Sequence, residues 1–258
     1  MNGLKQLILT SVLIVSVVHV SFAQKVNEKD TQGRKQGKWI AFYEGTKNIR
    51  YKGEFKNDIP VGKFVFFYEN GKVKAKNTYL NKGKDSFVSM YHENGKLMSM
   101  GKYVNEQKDS IWVFLDEHGN YLSKENYKNG KRHGKCITFY AFNPNIDQGQ
   151  PNLLEVAMYI NGERDGEYLK YYRNGKYMMQ GNYSAGTLEG KRTTYYSTGK
   201  KRTEVYFKHG VKNGYTINYD GNEEVVSKQF YKNGYELKGK VLEDYLQRKR
   251  ERSQKNKP

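Results

Sequence analysis

The stretch Gly62-Lys63-Phe64-Val65-Phe66-Phe67-Tyr68-Glu69-Asn70-Gly71-Lys72 decides how this chain is read. It opens on glycine, runs through aromatic and branched residues suited to a strand, and ends on Asn-Gly. Asn-Gly between two such runs predicts a hairpin, because a type I′ turn needs positive φ at both central residues. A second run from Lys74 to Tyr79 follows, then a turn at Asn81-Lys82-Gly83, and the pattern restarts.

The restarts fall at Gly37, Gly62, Ser86, Ser110, Gly134, Gly166, Gly190 and Gly214, at intervals of 25, 24, 24, 24, 32, 24 and 24 residues. A fixed period of this size marks a repeat array in which each unit is one supersecondary element. The 32-residue interval lengthens one hairpin turn around the Pro-, Gly- and Asn-rich run 143–151.

Alternation along a strand sends odd and even offsets to opposite faces. Offsets three and five from the start read Ile40/Phe42, Val65/Phe67, Val88/Met90, Val113/Leu115, Ile137/Phe139, Leu169/Tyr171, Thr193/Tyr195 and Ile217/Tyr219, the column expected on the better-buried face. Offsets two and six read Trp39/Tyr43, Phe64/Tyr68, Phe87/Tyr91, Trp112/Asp116, Cys136/Tyr140, Tyr168/Tyr172, Arg192/Tyr196 and Thr216/Asp220, expected as a wetter aromatic ladder on the other face. Offset seventeen marks the second strand with Tyr79, Tyr103, Tyr127, Tyr183, Phe207 and Tyr231, joined by Phe55 and Tyr159 once the extra residues are allowed for.

The fold class that follows is all-β: an elongated antiparallel meander of about eight hairpins, each marginal alone and stabilised by stacking on its neighbours. Residues 37–239 form the repeat domain, after a polar lead-in at 24–36. Residues 240–258 read as a short capping helix with a basic tail, its face of Val241, Leu242, Tyr245 and Leu246 set to cover the last hairpin and blunt the sheet edge. The helix is expected to end near Arg252, with 253–258 disordered.

The first 23 residues read as a signal helix. Lys5 precedes an apolar run from Leu7 to Phe22, and Ser21-Phe22-Ala23 fits a small-x-small cleavage site. The expectation is cleavage near Ala23 and export to the periplasm, the outer-membrane surface or the medium. Cys136 stands alone, so no internal disulfide can form.

The unit Gly-x-aromatic-x-x-aromatic-Tyr-x-Asn-Gly-Lys, as at 62–72 and 166–176, resembles the MORN repeat. The run Tyr127-Lys128-Asn129-Gly130-Lys131-Arg132-His133-Gly134 resembles its bacterial variant, whose members are often labelled YwqK-type antitoxins. The resemblance covers about residues 33–239. It implies a hairpin-repeat fold and an interaction role, with neutralisation of a partner toxin as an alternative.

Catalytic constellations are not found. There is no His-Glu-x-x-His, no cysteine pair, no Gly-x-Ser-x-Gly and no phosphate-cradling loop, so neither an enzyme nor a metal or cofactor is expected. His118 and His209 take turn positions that asparagine holds elsewhere, and Asp85, Asp109, Asp165 and Glu189 each precede a repeat start, so all six read as turn residues. A net charge of +18 suits solubility and edge protection, or attraction of a polyanion.

The expected function is that of a non-catalytic, exported interaction or scaffold module of the cell envelope. Its candidate surface is Trp39, Tyr43, Phe64, Tyr68, Tyr91, Trp112, Tyr140, Tyr168, Tyr172 and Tyr196, with the basic tail Arg248, Lys249, Arg250 and Arg252. The expected partner is a protein, with anionic lipid or polysaccharide as the alternative; nucleic acid is not expected, and the oligomeric state stays open. Specific function is expected where the grid breaks: 143–151, Asp116, Arg192 and the terminal helix.

Overall fold

The computed structural model describes residues 25–147 and 152–255. The expected signal helix and residues 148–151 of the long turn lie outside these. A short edge strand β1 (Glu28–Lys29) leads into hairpins β2 (Lys35–Phe42) with β3 (Ile49–Lys56), β4 (Ile59–Phe67) with β5 (Val73–Leu80), β6 (Asp85–Tyr91) with β7 (Leu97–Val104), and β8 (Gln107–Leu115) with β9 (Tyr121–Lys128). The two-residue β10 (Lys131–Arg132) continues into β11 (Gly134–Phe139), which pairs with β12 (Leu153–Ile160). Then come β13 (Glu163–Tyr171) with β14 (Tyr177–Ser184), β15 (Thr187–Leu188) continuing into β16 (Gly190–Tyr195) with β17 (Lys201–Lys208), and β18 (Val211–Tyr219) with β19 (Val225–Lys232). Strand β20 (Tyr235–Leu237) forms the other edge. Every hairpin also pairs antiparallel with the next, giving one open meander of eight hairpin repeats.

Two turn types alternate, one at each end of the strands. The Asn70-Gly71 hairpin is not a type I′ turn. Gly71 N–H donates to the Tyr68 carbonyl, and of the two only Gly71 has positive φ, at 83°. That is a tight turn followed by a left-handed glycine, with the Asn70 side chain accepting the Lys72 N–H at 3.0 Å. The connectors between hairpins are where both central residues carry positive φ: Asn129-Gly130 at 50° and 76°, Asn161-Gly162 at 51° and 96°, His209-Gly210 at 50° and 79°.

The repeat-start glycines serve a third need. Gly62, Gly134, Gly166 and Gly190 all have φ between 64° and 105°, where the strand kinks out of register with its predecessor. Only glycine enters that region at little cost. Ser110 holds the same conformation, with φ of 60°. Ser86 does not, and β5 and β6 pair there without a register shift.

Burial reverses the expected order of the faces. Residues directly opposite one another share a face, and Trp39 stands opposite Gly53, Phe64 opposite Asn77, Trp112 opposite Glu125 and Tyr168 opposite Gly181. This face holds the best-buried rings: Phe64 is 3%, Trp112 1% and Tyr168 5% exposed. The offset-three residues lie opposite lysines instead, Ile40 and Val65 against Lys52 and Val113 against Lys124. The reason lies on the second strand. A Cβ on Gly53 would meet the Phe64 ring at 2.4 Å, and one on Gly101 the Trp112 ring at 2.3 Å. The rings therefore lie flat over bare backbone and bury themselves within a single sheet.

The register also corrects the third repeat. Ser86 pairs with Tyr103 as Gly62 pairs with Tyr79, so offset two is Val88 and offset six is His92. Phe87 faces the opposite way and is 55% exposed.

The polar lead-in is tied to the sheet and to itself by side-chain hydrogen bonds. Asp30 accepts bonds from Gln32 N–H, Arg34 N–H and the Arg34 and Gln36 side chains, and Asn27 pairs by its side-chain amide with both main-chain groups of Ile40. At the far end helix α1 (Gly239–Lys255) runs past Arg252 and sets Tyr245 against Phe230, ring centroids 5.5 Å apart. Leu242 and Leu246 are half-buried with it, whereas Val241 is exposed. The edge itself is formed by β20, with the helix lying on the sheet face.

Candidate binding groove

The buried rings form a chain of edge-to-face contacts across the repeats. Trp39 meets Phe55 at 6.0 Å, Phe55 meets Phe64 at 5.2 Å, and Phe64 meets Tyr79 at 5.1 Å. The chain resumes with Tyr103 against Trp112 at 4.9 Å. Between Tyr79 and Tyr103 stands Val88, paired with Asn77 on one side and Gly101 on the other. A valine at a ring position leaves room, and a groove of about 590 Å³ opens on this face. Its floor is Ala75, Asn77 and Val88; Tyr51 and Phe66 wall one side, and Met90, Met98 and Tyr103 the other. Arg50 and Lys74 stand at the rim. The Asn77 Oδ1 is sealed from solvent and accepts no hydrogen bond.

Most of the expected surface residues do structural work elsewhere. The offset-six hydroxyls tie each repeat to the next: Tyr43 to the Phe67 carbonyl at 2.6 Å, Tyr68 to Tyr91 at 2.7 Å, and Tyr140, Tyr172 and Tyr196 to Tyr171, Tyr195 and Tyr219 at 2.8 Å. His92 Nε2 takes the same place against Leu115 at 3.1 Å. Tyr91 offers its carbonyl rather than its ring. Phe64, Trp112 and Tyr168 are buried, Trp39 half-buried, and of the ten only Tyr43 lines the groove. The grid break that opens the groove is Val88, and aligning the third repeat on Ser86 would have shown it.

The breaks singled out from sequence close on themselves. Asp116 accepts the N–H groups of His118 and Asn120 in its own turn. Arg192 lays its guanidinium over Phe207 at 5.0 Å, substituting an aliphatic stem for a ring. In the long turn Asp147 is buried and bridged by Arg173 at 2.8 Å. Arg248, Lys249, Arg250 and Arg252 are exposed on α1. Asp85, Asp165 and Glu189 do bond turn amides, as expected, but those of Asn105, Ala185 and His209, twenty residues on and adjacent only through the sheet.

Cations cover the ring face. Lys35 lies over Trp39 at 5.0 Å, Lys108 over Trp112 at 4.7 Å, and Arg164 over Tyr168 at 4.7 Å. Between the fourth and fifth repeats, where Asp116 replaces the tyrosine tie, a buried polar cluster stands instead. Glu125 accepts from Tyr127 at 2.5 Å, from Ser123 at 3.1 Å and from Arg132 at 2.9 Å. Burial alone would raise the Glu125 pKa, but the bonds from Tyr127 and Arg132 outweigh it and hold the carboxyl below its usual range. Burial and then the Glu125 carboxylate push the Tyr127 phenol up to about 12. Cys136 is buried beside this cluster, and desolvation raises its thiol.

The opposite face carries lysines. Lys52, Lys76 and Lys124 lie in one cross-strand row with Ile40, Val65 and Val113, and Lys63 and Lys102 in the next row with Thr78 and Phe87. Among the described residues none of the five makes a salt bridge.

The family model described as MORN repeat variant matches residues 60–81, 88–105, 164–185 and 188–209. Each match falls within one hairpin. No curated protein matches the chain. Among solved structures, a porin-like protein from Bacteroides uniformis ATCC 8492 is 11% identical over 77% of this chain and 91% of that one, with a TM-score of 0.16, and a likeness of that depth carries no argument. Four hairpins of this repeat protein are thus similar to the MORN repeat variant.

Proposed function

We propose that this protein is a non-catalytic interaction module, exported to the cell envelope, that holds a partner protein in the groove at Val88. The break in the ring chain carries the reading: an apolar cleft of about 590 Å³ with a defined floor is built where a ring is missing from the column. The acids support the absence of catalysis. Glu125, Glu155, Asp147 and Glu204 are each held by arginine or lysine at 3.4 Å or less, so none is left as a base. Export rests on the signal-like first 23 residues, and the envelope fraction should then yield a chain whose first residue is Gln24. The binding test is a photo-crosslinking residue at Met98 in cells. A crosslinked partner that disappears with Val88→Phe supports the reading; an unchanged crosslink, or none, opposes it.

A second reading is favoured by the unpaired lysine rows: the opposite face attracts an acidic polysaccharide or an anionic membrane surface. Lys52 and Lys76 stand two strands apart in their row, about 10 Å, and Lys124 four strands further on, about 19 Å, spacings set by the sheet. Salt-dependent retention on an acidic glycan or on anionic vesicles, lost when Lys52, Lys76 and Lys124 become glutamine, is the expected result. Retention unchanged by that triple substitution would remove this reading.

A further inference from the structure

We propose that the groove takes a tyrosine or tryptophan side chain presented by an acidic segment of the partner protein. This rests on the groove being the binding site and adds the chemistry of its occupant.

The shape comes first. Phe64 and Trp112 fill offset two on either side, and Val88 leaves that place empty of a ring. The flanking groups are those that pack rings elsewhere in the sheet. Tyr51 already stands 5.8 Å from Phe66, so the near wall is aromatic. The far wall has Tyr103 with Met90 and Met98, whose thioethers adapt to a ring edge. An inserted ring continues the interrupted chain from Tyr79 to Tyr103.

The polar atom in the groove selects among rings. Asn77 Oδ1 lacks a donor, and its Nδ2 makes only a 3.4 Å contact with the Tyr79 hydroxyl. Asn77 lines the groove, so an occupant with a donor would draw this amide round until its oxygen faces the groove. A phenol O–H or indole N–H then satisfies it, whereas phenylalanine or leucine leaves it unpaired. The rim selects the flanks. Arg50 and Lys74 are exposed, lie 5.6 Å over the rings of Tyr51 and Tyr68, and make no salt bridge among the described residues. Acids on either side of the inserted ring meet these two cations.

The test uses the mature chain and fluorescein-labelled pentapeptides read by anisotropy: Asp-Glu-X-Glu-Asp with X as Trp, Tyr, Phe or Leu, and Lys-Lys-Trp-Lys-Lys. Trp and Tyr peptides should bind about tenfold more tightly than Phe and Leu, the size of one satisfied buried acceptor. The basic peptide should bind more weakly, with the gap narrowing as salt rises. Asn77→Leu should equalise Tyr and Phe, and Val88→Phe should abolish binding while the thermal melt stays cooperative; Ala75→Leu gives the same block from another point of the floor. Equal binding of Phe and Trp, binding untouched by both blocking variants, or no binding at all overturns the proposal. If no peptide binds while the Met98 crosslink persists and still vanishes with Val88→Phe, the occupant's chemistry is wrong and the groove reading stands; loss of both results removes both.

Discussion

The hydroxyl of Tyr68 donates to the main-chain carbonyl of Tyr91, 23 residues further along and 2.7 Å away. The same bond recurs from Tyr43, Tyr140, Tyr172 and Tyr196, each time reaching the next repeat at the hairpin-turn end. An array whose units touch only their neighbours depends on such junctions for its cooperativity. Tyr172→Phe keeps the ring and removes the tie. It should lower unfolding stability by about 1 kcal/mol in urea with an unchanged far-UV spectrum.

The junction between the fourth and fifth repeats has no tyrosine tie, since Asp116 is turned into its own loop. Glu125 with Arg132, Tyr127 and Ser123 binds the strands there, and Arg132 reaches on to the Tyr159 ring at 5.5 Å. Glu125→Ala leaves Tyr127 and Arg132 without their acceptor and should cost about 2–3 kcal/mol. Denaturation should then separate into two transitions, one for each half; a single transition with unchanged slope would count against this role.

Ser110 occupies a positive-φ position, at 60°, that six other repeat starts give to glycine. Ser110→Gly should raise stability by about 1 kcal/mol, because the left-handed region costs a side-chain-bearing residue that much. Gly101→Ala should act in the opposite sense, by about 3 kcal/mol, as the new Cβ would sit 2.3 Å from the Trp112 ring and displace it. Both are read from thermal melts against wild type.

Two groups make pH dependence visible. The Tyr127 phenol, raised to about 12, contributes stability that is full below its unfolded value of 10.0 and is lost as pH rises through about 12. Tyr168, Tyr171 and Tyr219 are raised as well, so absorbance at 295 nm should show a group of late-titrating tyrosines, from which Glu125→Gln moves Tyr127 back toward 10. Asp30 shifts the other way. Desolvation opposes the shift, but bonds from Arg34, Gln36 and Gln32 lower it to about 2. Its contribution is present above the ordinary value of 3.8 and lost as pH falls through about 2. Amide protection at Gln32 and Arg34 should therefore survive to near pH 2, and Asp30→Ala, which removes the accepting oxygen, should abolish that protection at neutral pH.

Sequence alone determined the repeat period, the hairpin order and the two glycine-rich turn sets, because each depends on local backbone conformation recurring every 24 residues. It could not say which face is buried. Alternation separates Phe64 from Val65 without ranking them, and the ranking came from Gly53 and Gly101, which lie on neighbouring strands and let rings lie flat. Nor could spacing reveal that Asn70-Gly71 turns differently from Asn129-Gly130, since the same dipeptide serves both geometries and the strands around it choose. The opening of the groove belonged to tertiary structure. Counting from Ser86 puts Val88 where other repeats hold a ring, but only the pairing of Val88 with Asn77 and Gly101 shows that the gap lies between Tyr79 and Tyr103 and opens as a groove.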